Sequence, residues 1–66
     1  MINRNDFPIL NSLMWDVKGT YIDYLDALHL YEKRSSYYKR EDMNERELGL
    51  LNHLIDLVGN GIFLGL

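Results

Sequence analysis

No cysteine occurs among the 66 residues of this chain, and that absence limits the possible folds more than any motif does. A chain this short buries only about 60% of the surface its unfolded form exposes. A single core of this size rarely supplies more than about 3–5 kcal/mol. Small domains commonly offset the shortfall with disulfides, thiolate-held metals or oligomerisation, and without cysteine the first two routes are closed. Close helix packing and self-association remain. The expected fold is all-α, a small helical hairpin or three-helix domain completed by dimerisation, with residues 1–66 forming one domain.

Three segments carry helical periodicity, at about 7–18, 20–40 and 44–58. In the first, Asp6 is a candidate N-cap and Pro8 suits the first turn, where its missing N–H costs nothing. Ile9, Leu10, Leu13, Met14 and Val17 then share one face, and Gly19 reads as the stop. In the second, Thr20 is a candidate cap. Tyr21, Tyr24, Leu28, Tyr31, Ser35 and Tyr38 fall at alternating three- and four-residue steps, a heptad-like seam with tyrosine at successive equivalent positions. Val17 stays in phase with this seam, so a single helix from Pro8 to Arg40 is the runner-up. In the third, Asn44 with Glu47, or Asp42 with Glu45, supplies a capping signal. Leu48, Leu51, Leu54, Ile55 and Val58 form its stripe, which Leu50 and Leu57 widen enough for two neighbours. Gly59-Asn60-Gly61 ends the helix, and an apolar tail, 62–66, follows. A short connection between the second and third segments predicts an antiparallel pair.

The bulk chemistry removes several functions. At 47% hydrophobic residues the chain is too apolar to be intrinsically disordered. The N-terminus lacks the apolar core of a signal peptide, and the cysteine-free composition fits a reducing compartment, so a cytoplasmic location is expected. Asn52, His53, Asp56 and Asn60 interrupt the most apolar stretch, Leu48 to Leu66, which argues against a spanning helix. No established catalytic motif is present, and neither enzymatic activity nor a cofactor is expected. His29 with Glu32 and His53 with Asp56 repeat an i, i+3 spacing. Solvated pairs account for both more simply than a metal site does.

Two groups of residues point to binding. Trp15, on a helical reading, sits across the axis from the Leu13/Val17 face, where an indole is a typical interface anchor. Tyr24, Tyr31, Tyr38 and Phe63 offer further amphipathic contact area. The leading expectation is a small protein-binding regulator: an adaptor, inhibitor or antagonist of the kind short phage or plasmid accessory genes encode, acting on a protein partner as a homodimer. The alternative is a nucleic-acid-binding regulator using Lys33, Arg34, Lys39 and Arg40, which alternate with aromatics. Against it stand the net charge of −3 and the acidic run that follows at Glu41, Asp42, Glu45 and Glu47.

Overall fold

The computed structural model of the chain describes residues 1–58, so the expectations for Phe63 and the apolar tail lie outside the described residues. Strand β1 (Ile2–Asn3) leads through a 3-10 turn (Arg4–Asp6) into helix α1 (Pro8–Leu13). Strand β2 (Tyr21–Ile22) precedes helix α2 (Tyr24–Lys33). Two 3-10 turns, Ser35–Tyr37 and Arg40–Asp42, connect it to helix α3 (Glu45–Leu57). The architecture is mostly helical, with one two-stranded antiparallel sheet that the periodicity did not reveal. Its register pairs Ile2 with Ile22 and Asn3 with Tyr21. Both isoleucines point into the core and are buried.

α3 packs on α2, and α1 packs on α2 from another side. α2 and α3 run antiparallel, as expected. Tyr31 near the end of α2 meets Glu47 near the start of α3, and Tyr24 at the start of α2 meets His53 towards the end of α3. The shared core is Leu10, Leu13, Met14, Ala27, Leu28, Tyr31, Met43, Leu51 and Leu54, closed at one end by Ile2 and Ile22. Burying a leucine-sized side chain is worth about 1.5–3 kcal/mol, so these contacts supply the main cohesion of the domain.

The helix boundaries correct the periodicity in three places. α1 stops at Leu13, because Arg4 gathers the carbonyls beyond it. Its guanidinium donates to the carbonyl oxygens of Asn11, Met14, Val17 and Gly19 and to Asn11 Oδ1, over 2.6–3.2 Å. The chain then turns through Gly19 at φ +98°, a region that favours a residue without Cβ. This turn rules out the single helix from Pro8 to Arg40. α2 begins at Tyr24, with Asp23 rather than Thr20 as its cap; the Asp23 carboxylate accepts from the Asp26 N–H at 2.8 Å. The residues after Thr20 go into β2 instead.

The third correction concerns the tyrosine seam. α2 ends at Lys33 and not near Arg40. The backbone is extended at Tyr38, whose hydroxyl donates to the Tyr31 carbonyl at 2.8 Å. That carbonyl is one of the four that a helix end leaves without a backbone donor. Tyr24, Leu28 and Tyr31 therefore share a helix, whereas Ser35 and Tyr38 do not. α3 matches its expected span, and Asn44 caps it by accepting from the Glu47 N–H at 2.9 Å.

Candidate functional site

The most heavily bonded side chain inside the molecule is Glu47, which is 1% exposed. Its carboxylate accepts from Ile9 N–H at 3.0 Å, Leu10 N–H at 2.7 Å and the Tyr31 hydroxyl at 2.5 Å. Ile9 and Leu10 lie in the first turn of α1, where backbone N–H groups have no partner within the helix. The local N-cap residue of α1 is Phe7, which has no side-chain acceptor to offer them. A carboxylate from α3 thus caps α1 across the core, and the positive end of the helix dipole favours its charge. Tyr31 is fully buried. Burial, and next its bond to Glu47, hold its phenol well above the ordinary range. The Tyr38 ring meets Tyr31 edge-on at 5.7 Å, and burial raises its phenol too. All the polar capacity of this cluster is turned inward, so it holds the three helices together and presents nothing to a ligand.

The surface feature that projects outward is Trp15. It lies in the turn after α1 rather than on the helix, and 73% of it is exposed. The helical geometry that set Trp15 across the axis from Leu13 and Val17 does not apply here, since the residue follows the helix. Arg34, the residue that ends α2, lies over the indole. Its guanidinium lies 5.0 Å from the Trp15 ring centroid, a cation–π distance. The same guanidinium makes a bidentate pair with Asp16, 2.7 Å to each oxygen, and donates to the Leu13 carbonyl at 2.6 Å. The Arg34 hydrogen bond lowers the Asp16 carboxyl below its usual range, and the pair raises the Arg34 guanidinium in turn. Trp15 and the Arg34 guanidinium thus lie together beside the C-terminal end of α2, and Tyr37, also 73% exposed, lies in the 3-10 turn that follows.

The other expected binding residues are scattered. Tyr24 is partly exposed and edge-on to His53 at 6.4 Å. Tyr31 is core and Tyr38 is half-buried, so the seam does not form a surface. Of the basic group, Lys33 borders the Trp15 surface, where its charge acts on Asp16. Lys39 is paired at 3.9 Å with Glu41, and Arg40 opens the following 3-10 turn. Among the described residues, no group of three or more histidines and carboxylates could hold a metal ion. No helix among them is long and apolar enough to cross a membrane.

Sequence reasoning missed Arg4 and Glu47. Arg4 precedes any periodic segment and left no pattern. Glu47 did leave one, because it is in phase with Leu51, Leu54 and Val58 on the buried side of α3. Comparison of the chain with protein-family models, with curated proteins and with solved structures returns no match.

Proposed function

We infer that this domain is a small protein-binding regulator, an adaptor, inhibitor or antagonist, and that Trp15 is its anchor. The observation carrying this reading is an exposed indole with the Arg34 guanidinium, itself paired with Asp16, packed against its ring. Tryptophan and arginine are among the residue types that dominate binding hot spots, and Trp15 and Arg34 lie side by side. Catalysis has no support in these residues, since the titratable groups of the surface are committed to one another.

The nucleic-acid alternative is the weaker of the two. Three Arg34 N–H groups are spent on Asp16 and Leu13, so its charge is neutralised where a phosphate would need it. Three measurements test the protein-binding reading. Emission from Trp15 in the free protein is expected to be red-shifted and readily quenched. The Trp15→Ala variant is expected to keep its circular dichroism spectrum while losing partners captured by the wild-type chain from host extract. Capture of the same proteins by both, or capture of nucleic acid that dissociates steeply with salt, would overturn it.

A further inference from the structure

α2 buries Ala27, Leu28 and Tyr31 and turns Asp26, His29 and Lys33 the other way, at i, i+3 and i+7, with Leu30 half-buried between this row and the core. This row forms one wall of a groove of about 380 Å³ whose opposite side includes Val17 and Ile22. The groove is concave where the Trp15 surface projects, and Trp15 does not line it. Its charges are ordered along the helix. Asp26 stands towards the N-terminal end and Lys33 at the C-terminal end, with His29 and Leu30 between them. Arg34 pairs with Asp16, Lys39 with Glu41 and Arg46 with Asp6. Neither Asp26 nor Lys33 takes part in any of these pairs.

A face ordered in this way complements itself. When two copies of α2 lie antiparallel about a two-fold axis passing between His29 and Leu30, each Asp26 stands opposite the other copy's Lys33. At a rise of about 1.5 Å per residue, the two positions are roughly 10 Å apart along the helix, so both pairs form together. A parallel arrangement would set Asp26 against Asp26 and Lys33 against Lys33. Leu25, 49% exposed on the flank of the same face, supplies an apolar side chain to enter the partner's groove. We propose that the occupant of this groove is a second copy of this chain, seated with α2 antiparallel to α2 in a two-fold interface. The interface differs from the tyrosine seam expected from the sequence, whose Tyr31 is spent inside the fold. It also goes beyond the Trp15 reading, and either can fail without the other. A ten-residue helix is only about 15 Å long, which places this contact at the small end of specific interfaces and makes the dimer a dissociable one.

The test is analytical ultracentrifugation of the full chain over a concentration series, with Asp26→Lys, Lys33→Glu and the double variant alongside. The wild-type chain is expected to approach twice its 7.8 kDa mass. Each single change replaces two attractive contacts with two repulsive ones and is expected to weaken association about tenfold. The double variant restores opposite charges across the interface and is expected to recover most of the loss. An equimolar mixture of the two single variants is expected to associate more strongly than either alone, which identifies the pairing even if one change also loosens α2. Three results would overturn the proposal: a wild-type monomer at the highest concentration, single variants that dimerise like wild type, or a mixture no tighter than its components.

Discussion

Glu47→Gln is the perturbation that tests the organisation of this core most directly. Glutamine keeps the shape of the side chain but can place an oxygen at only one of the two carboxylate positions. With its oxygen towards Leu10 and Tyr31, its NH2 group opposes the Ile9 N–H, a donor facing a donor at what is now a 3.0 Å contact. Hydrogen bonds to a charged acceptor contribute about 1.5–3 kcal/mol each and neutral ones about 0.5–1.5. Losing one bond costs about 1.5–3 kcal/mol and weakening two adds about 1 kcal/mol each, so the total is at least ~3 kcal/mol. That is a large share of the ~3–5 kcal/mol available to a core of this size. With about 4–8 °C per kcal/mol for a domain this small, the melting temperature should fall by at least ten degrees or so. Replacing a buried ionic group with apolar residues is often harmless elsewhere, but here two of the three donors are backbone and no substitution removes them. Thermal melts followed by circular dichroism measure the effect, and a double-mutant cycle with Tyr31→Phe isolates the hydroxyl's share, expected within about 0.5–3 kcal/mol. A Glu47→Gln variant that melts with the wild type would refute the argument, since it would mean the carboxylate is not capping α1 inside the core.

Three further outcomes follow from the same geometry. Tyr31 and Tyr38 are held above the ordinary phenol range, so their contribution is intact below about pH 10 and is lost as pH rises and the unfolded chain ionises first. Urea titrations across the alkaline range should show Tyr31 alone removing about 1.4 kcal/mol per pH unit, and Tyr31→Phe should flatten that slope. Gly19→Ala forces a side chain onto φ +98° and should cost about 1–2 kcal/mol, whereas Gly49→Ala, within α3 with nothing near its added methyl, should raise stability by about 0.5–1 kcal/mol; a rise in melting temperature for the first or a fall for the second would contradict that assignment. Trp15→Ala forfeits only a surface cation–π contact, about 0.5–1 kcal/mol, so a collapse of its melting temperature would assign Trp15 to the fold instead of to a binding face.

The parts of this fold written in long periodic runs were legible in the sequence. α3 extends over 13 residues, long enough for its stripe and its Asn44 cap to agree. The antiparallel pairing of α2 and α3 was expected from a short connection, and it holds although α2 ends at Lys33 and two 3-10 turns precede α3. The two-residue strands were not legible, because alternation needs more residues than Ile2–Asn3 or Tyr21–Ile22 provide. The tyrosine seam misled for the opposite reason. Tyr24, Tyr31 and Tyr38 are evenly spaced along the chain, and spacing alone cannot register that Arg34 leaves the helix to reach Asp16 and Leu13. The side-chain contacts made at the end of α2 are tertiary ones, and tertiary context overrides propensity.

Glu47 shows how one residue can satisfy two descriptions. Three positions after Asn44, it completes the pattern of a capping box, in which the glutamate reaches back to the cap residue's own N–H and stays at the surface. Only half of that pattern forms: Asn44 accepts from the Glu47 N–H, while the Glu47 carboxylate points the other way, to α1 and Tyr31. The helical phase could have decided the matter, since Glu47 lies one turn before Leu51 and two before Leu54, both fully buried. A carboxylate in phase with a leucine stripe needs donors supplied by the rest of the fold. Here a helix that starts without a side-chain acceptor of its own provides two of them. The missing cap on α1 and the buried acid on α3 are each costly alone, and each removes the other's cost. That mutual dependence ties α1 to the α2–α3 pair in a chain with no disulfide to do so.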